Sequence, residues 1–400
     1  MKIIVIGCGK IGKTIIEHVS KEGHSLVIVD NNREKVEELI ERYDVMGVVG
    51  NGASLDIQEE AGVKSADLVI AVTPEDEINI LASMVAKKLG ASSTIARVRN
   101  PEYLRQTKLM QEELGLSMVV NPEQETADEI INMVNLPSLL KLEPFAKGKV
   151  NLVEILVEEN NPLIGETLIT MSKKIKTKVL ICAIQRASHV IIPNGNFKIE
   201  QGDRLSITAN ASSLVTFLKE LNLIKSPLKN IMIIGGGKIS YYLAKELSNK
   251  KYHIKLIEMN KNRAEEMAEA LPKVDVICGD GTDHDLLIEE GIEASDACIA
   301  LTNVDEENII VSMYATRLKI KKVIAKIKRN SFLTMVNDLG IASIVSPKDI
   351  VASKIISYIR ALSNKRGSNV LTLYKLVNNQ VEALEFDAKK KEKFYNNCGK

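Results

Sequence analysis

Gly7-Cys8-Gly9-Lys10-Ile11-Gly12 follows a five-residue apolar run and opens a segment of helical periodicity. Three glycines at this spacing permit a tight turn and let backbone amides approach a pyrophosphate, which the positive end of the helix attracts. Asp30 closes the next apolar run, 23 residues beyond Gly7. A carboxylate there can accept hydrogen bonds from ribose hydroxyls and repels a 2′-phosphate, so NAD or another nucleotide with a free ribose is expected over NADP. Arg33, just past the acid, could accept a phosphate, but its place in a helix points to solvent. In a protein without a ligand, the glycines would serve helix–strand packing and Asp30 would cap the helix opened by Asn31-Asn32-Arg33-Glu34.

The pattern returns as Gly235-Gly236-Gly237-Lys238-Ile239-Ser240, with Glu258 as its acid. Serine replaces the third glycine, the one used for close helix–strand packing, so this copy is expected to bind more weakly or to act mainly as scaffold.

Other chemistry has less support. His18 and His24 flank the first crossover, His189 lies near a strand of the middle module, and His253 and His284 occupy loop-like or helix-start positions; all read as surface or capping residues, so no catalytic residue is expected. Glu75-Asp76-Glu77 and Asp305-Glu306-Glu307 read as acids that cap helices and complement their dipoles. They are not read as metal ligands, and no metal site is expected. Cys8, Cys182, Cys278 and Cys298 lie in apolar stretches, with no paired spacing, and read as buried free thiols; Cys398 lies outside such a stretch.

The elements that must position the turns come from a duplication. Lys2 to about Pro122 returns as Asn230 to about Pro347. Gly7 and Asp30 match Gly235 and Glu258 at an offset of 228; Gly50, Asp67, Thr73 and Asn79 match Gly279, Asp296, Thr302 and Asn308 at 229, so a single-residue adjustment is expected to reconcile the copies. Within the first copy, strands are expected at Lys2–Ile6, Ser25–Val29, Met46–Val49, Leu68–Val72, Thr94–Val98 and Met118–Val120. Helices from about Lys10, Arg33, Leu55, Glu77 and Glu102 alternate with them, the pattern of a doubly wound parallel sheet. From Gly148 to about Leu223 the pattern becomes alternating strands broken by Asn160-Asn161-Pro162, Pro193-Asn194-Gly195 and Gln201-Gly202-Asp203, a small α+β module. Val370–Val377 and Val381–Phe386 read as the first strands of a second such module that then stops; a merely extended terminus is the alternative.

Composition excludes several classes. Lysine and arginine total 53 against 52 acids, giving a net charge of +1 with no field for nucleic acid or anionic lipid. The apolar run at the start is shorter than a signal peptide core or a membrane span. Lys389–Lys393 reads as a solvated run. A cytoplasmic protein with several domains and an aliphatic core is expected, because aromatics make up only 4%.

With the glycines, Asp30, Gly50-Asn51-Gly52-Ala53, Leu68–Thr73 and Ile95-Ala96-Arg97-Val98 in place, the chain resembles the TrkA family of potassium-uptake regulators, built from RCK domains. The middle module resembles the family's C-lobe through Pro162, Gly165, Ala183-Ile184-Gln185-Arg186, Ile192-Pro193 and Gly202-Asp203. The resemblance implies an α/β fold with two Rossmann-like lobes, 1–135 and 229–362. Each is followed by a small α+β C-lobe, 136–224 and an incomplete 363–400. It implies no enzyme but a cytoplasmic, homo-oligomeric, tetrameric ring at the inner face of the membrane, on a Trk-type potassium channel subunit, responding to NAD or NADH or to ATP/ADP. An NAD-dependent oxidoreductase is the alternative.

By position the resemblance implies that Gly7, Cys8, Gly9, Lys10, Ile11 and Gly12 cradle phosphates and Asp30 holds ribose. Asn51 lies near the base, Thr73 and Pro74 line the cleft, Arg97 contacts the ligand, and Glu123 reaches a phosphate-bound cation. In the second copy Gly235, Gly237, Lys238, Ile239, Glu258 and Thr302 correspond, but Lys326 replaces Arg97 and Lys348 replaces Glu123. Lysine lacks the planar fork of arginine and binds no cation, so the two sites are expected to differ.

Overall fold

The computed structural model describes residues 1–135, 139–145, 150–159, 161–187, 189–221, 228–250, 252–329, 331–339, 341, 343–364, 370–376 and 381–386. These fall into two compact units. One takes Met1–Glu125 together with Ser346–Thr372; Thr126–Val345 belongs to the other.

In the first unit β1 (Lys2–Ile6), β2 (Ser25–Asp30), β3 (Met46–Val49), β4 (Leu68–Ala71), β5 (Ser93–Arg97) and β6 (Met118–Val120) form one sheet in the order β3-β2-β1-β4-β5-β6. Every pairing in it is parallel. The order reverses between β1 and β4, which opens a crevice at the carboxyl ends of the strands. Successive residues of β1 bury opposite faces. Ile3 and Val5 join one core cluster and Ile4 and Ile6 another, so the strand reads as an unbroken apolar run. Helix Asp76–Leu89 covers the second face through Ala82 and Ala86. The first is covered by helix Lys10–Val19 and, beside it, by helix Pro347–Asn364 from the far end of the sequence, through Val351, Ala352, Ile355, Ile356 and Ile359. Arg360 forms an ion pair with Glu22 and Lys354 one with Glu125 along this seam.

The small module is an antiparallel sheet of β7 (Leu139–Phe145), β8 (Val150–Leu156), β9 (Leu180–Arg186), β10 (His189–Ile191) and β11 (Arg204–Ala209), ordered β10-β9-β11-β8-β7. β7 begins before the Gly148 start expected from the sequence. It carries Pro144, which breaks a strand pattern but is tolerated because β7 is an edge strand. Arg186 forms a two-pronged bond with the fully buried Asp203, at 2.8 and 2.9 Å.

β12 (Asn230–Ile234), β13 (His253–Glu258), β14 (Asp275–Cys278), β15 (Ala297–Ala300), β16 (Lys322–Lys326) and β17 (Ser343–Val345) repeat the first topology, in the order β14-β13-β12-β15-β16-β17. β18 (Val370–Leu376) and β19 (Val381–Phe386) pair as a two-stranded sheet.

The extra residue of the second copy lies before β14, where four residues follow helix Lys261–Ala270; three follow helix Arg33–Arg42 before β3. The expectation of a single adjustment needs correction. Met118–Val120 corresponds to Ser343–Val345, an offset of 225, so the second copy is four residues shorter between its last two strands. There the first copy folds two short helices, Pro101–Leu104 and Thr107–Glu112, and the second folds Ser331–Asp338.

Candidate functional site

β1 ends under the exit of β4, and Gly7 makes the turn with φ +102°, donating its N–H to Val29 O at 2.8 Å. A Cβ here would lie 2.8 Å from Thr73 N and 2.9 Å from Val72 C, and one at Gly12 would lie 1.9 Å from Gly7 O, so a side chain at either position would force the backbone to shift. Gly9 caps helix Lys10–Val19 without any side-chain hydrogen bond, and a Cβ on it would meet nothing within 4 Å. The helix's first amides therefore point into open space, an arrangement that suits an anion. Lys10 is exposed, whereas Ile11 is buried in the core. Burial, then the charge of Asp30, pushes the Cys8 thiol up to about 12; it is neutral and contributes its backbone.

Asp30 fixes the turn. Its carboxylate accepts Cys8 N at 2.7 Å and Asn32 N at 2.9 Å. A carboxylate has about four acceptor positions, so capacity remains for ribose hydroxyls. Arg33 is exposed and pairs with Glu37, as its helical position implied. Asn51 is exposed beside this edge, its Oδ1 accepting Ala53 N.

Across the crevice, Asn79 holds the opposite lip. Fully buried, it accepts Thr73 N and Oγ1, both at 2.8 Å, and donates to Thr73 O and Arg97 O at 3.0 and 2.9 Å. This joins the ends of β4 and β5. Pro74 O accepts both Arg97 Nη2 at 3.3 Å and Arg99 Nη2 at 2.7 Å. Burial, then neighbouring Arg99, lowers the pKa of Arg97, while Glu123 and Asp76 oppose that shift. Arg97 Nε, Arg99 Nε, Glu123 Oε2 and Asp76 Oδ1 are all buried without a hydrogen-bond partner. Buried polar groups are nearly always paired, so the chemistry of this lip suits a polar partner.

Asp76 does not act as expected. Helix Asp76–Leu89 is capped by Glu75 without a side-chain bond, while Asp76, 8% exposed, accepts Arg99 N and Asn100 N at 2.8 and 2.7 Å. It braces the loop after β5. Asp305 does the same for Lys328 N and Arg329 N. Recurrence of the acid in both copies was the available signal; its partners lie some 23 residues away.

The second turn keeps the plan. Gly235 has φ +96°, Glu258 accepts Gly236 N and Asn260 N at 2.5 and 2.8 Å, and Gly237 caps its helix with no side-chain bond. Lys238 is exposed and Ile239 buried. Thr302 N bonds the fully buried Asn308 at 2.8 Å. The polar groups, however, are turned onto the chain itself. Ser240 Oγ donates to Gly235 O, Arg263 Nε to Gly236 O at 2.7 Å, Lys326 Nζ to Leu301 O at 2.8 Å, and Lys328 Nζ to Asn303 O at 2.5 Å. Asp280 replaces Asn51, its carboxyl held low by the backbone N–H and then the hydroxyl of Thr282. Lys348 opens helix Pro347–Asn364 in the first unit.

Elsewhere, His18 and His24 are half-buried, His189 and His253 exposed, and exposed His284 stacks on Tyr314. Cys8 and Cys298 are buried and Cys182 half-buried, but Cys278 is exposed, contrary to expectation, because it ends the edge strand β14. Lys389–Lys393 and Cys398 lie outside the described residues. Among the described residues no cluster suits a metal ion, and no helix is long and apolar enough to cross a membrane.

The TrkA-N domain family matches residues 3–122 and 231–347, and the TrkA-C domain family matches 152–222. The chain is 36% identical over 366 residues to the Trk system potassium uptake protein TrkA of Vibrio alginolyticus, covering 90% of this chain and 79% of that protein. It is 33% identical over 377 residues to the protein of the same name from Haemophilus influenzae, covering 93% and 81%. Among solved structures the GsuK channel aligns with a TM-score of 0.67 at 20% identity over 91% of this chain. That alignment spans 64% of the channel chain, under two thirds of its length. The GsuK channel bound to NAD aligns at 0.67 and 19% identity, over 93% of this chain and 66% of that one. These structures share the fold. From the two lobes and the small module matched in order, the chain belongs to the TrkA family.

Proposed function

We propose that this chain is a nucleotide-sensing regulatory subunit of a potassium-uptake system, working as a homo-oligomeric ring at the inner face of the membrane on a Trk-type channel subunit. The observation that carries the reading is the first-unit crevice: an uncapped helix N-terminus, an acid pinned at the ribose edge, and a lip of buried polar atoms that make no hydrogen bond. Gly7 to Gly12 hold phosphate, Asp30 holds ribose, Asn51 flanks the base, and Thr73, Pro74, Arg97 and Glu123 line the far side. Relatives named for potassium uptake, and GsuK structures bound to NAD and to ADP, support NAD(H) or ATP/ADP as ligand. A ligand lying across β1 and β4 touches both halves of the sheet. NADH, NAD, ATP and ADP can then favour different arrangements, to the extent that their affinities for those arrangements differ.

Calorimetric titration of the four nucleotides into the full chain and into Asp30→Asn tests the reading. At least one should bind the parent, and the variant should weaken it about tenfold, the effect of one lost charge-assisted bond. No binding, or an Asp30→Asn variant as tight as the parent, overturns the assignment of this site.

A further inference from the structure

Two arginines converge on one carbonyl at the lip of the first crevice. Arg97 and Arg99 both donate to Pro74 O through Nη2, and the Nε of each is buried without a hydrogen bond. Asp76 forms an ion pair with Arg99, its Oδ1 3.8 Å from Nε, but the distance is beyond hydrogen-bond length and its Oδ2 takes two backbone amides, so the guanidinium keeps donor capacity. In the second unit the corresponding lysines, Lys326 and Lys328, spend an ammonium bond each on Leu301 O and Asn303 O.

Strand order fixes what would face the arginines. β2, with Asp30, lies on one side of β1; β4 and β5, with Thr73 and Arg97, lie on the other. A nucleotide whose ribose is held at Asp30 places its pyrophosphate over the turn and extends the remainder toward the end of β5. In NADH that remainder is an uncharged nicotinamide riboside. ADP ends at the pyrophosphate, and ATP carries one further phosphate, the group a guanidinium fork matches best.

We infer that Arg99 is a specificity-determining residue of the first site: with Arg97 it receives the terminal phosphate of a nucleoside triphosphate and ranks ATP above ADP and NADH. This rests on the nucleotide-sensing reading above. The probes are ATP, ADP and NADH, titrated calorimetrically into the full chain, Arg99→Ala and Arg99→Gln; the glutamine keeps a donor for Pro74 O but no charge. In both variants ATP should weaken at one class of site by about 10- to 100-fold, while ADP and NADH move by less than about threefold. Equal weakening of all three would make Arg99 a packing residue, and unchanged ATP affinity would remove it from the site; either result overturns the inference and leaves nucleotide sensing standing. Failure of the parent to bind any of the three removes both.

Discussion

The two glycine turns share a backbone and differ in what their side chains are doing. Gly7 and Gly235 take the same left-handed turn, Asp30 and Glu258 pin it identically, and Asn79 and Asn308 clamp the same strand ends. At the first lip Arg97 and Arg99 bond the main chain at Pro74 O and four buried polar atoms make no hydrogen bond; around the second turn Ser240, Arg263, Lys326 and Lys328 are bonded to their own backbone. Scaffold positions have thus kept their chemistry through the duplication, and the groups that would face a ligand have diverged. A bond that a side chain makes to its own main chain must be broken before that group serves a ligand; the first site bears this cost at its two arginines, and the second at four side chains.

Breaking the shared scaffold should hurt both units. Gly7→Ala puts a Cβ 2.8 Å from Thr73 N at φ +102°, and Gly235→Ala puts one 3.0 Å from Thr302 Cα at φ +96°. Each should destabilise its unit by about 3 kcal/mol or more, since strain and overlap with backbone add. Denaturant unfolding followed by hydrogen exchange in each sheet would show it; a loss confined to one copy would break the equivalence. Asp76→Ala and Asp305→Ala come next, at about 2–3 kcal/mol each, because each strands two backbone amides. Were these acids simple helix caps, the loss would stay near 1 kcal/mol.

These two pairs also mark how far the sequence could be read. Alternating strands and helices, both turns, both acids and the repeat were legible because they rest on local spacing. Asp76 was misread as a cap because its bonds reach residues in the next loop, and Arg99 was passed over because its proximity to Arg97 depends on both reaching Pro74 O. β7 was hidden by Pro144, which only its edge position permits. The docking of helix Pro347–Asn364 against helix Lys10–Val19 pairs residues more than 300 apart, which no periodicity reveals.

The third turn position sharpens the comparison at smaller scale. Gly12→Ser would place a Cβ 1.9 Å from Gly7 O, whereas Ser240 already sits buried at the matching place with its hydroxyl on Gly235 O. Gly12→Ser should therefore cost about 1–3 kcal/mol and weaken first-site binding, and Ser240→Gly about 1 kcal/mol. If Gly12→Ser is silent in thermal unfolding and in titration, the first turn is no tighter than the second.

The smallest effect is a pH dependence carried by Asp296 in the second sheet. Asp67 and Asp296 correspond, each accepting the first amide of a central strand's entry, and Asp296 also receives a lysine ammonium, from Lys321 at 2.6 Å; Ser92 stands at the place equivalent to Lys321. Burial opposes ionisation of Asp296, but Lys321 and the amides of Asn230 and Lys229 outweigh it and bring its pKa from 3.8 to about 2. A carboxyl lowered on folding adds stability that is complete above its unfolded value and disappears as pH falls through its folded value. The second sheet should thus lose of order 1 kcal/mol between about pH 4 and pH 2, after allowance for solvent screening of the Lys321 pair. Lys321→Ser, which copies the first sheet, should flatten that part of the profile in acid titrations followed by hydrogen exchange. An unchanged profile would mean that the backbone amides alone hold Asp296 ionised and that the Lys321 ammonium adds nothing.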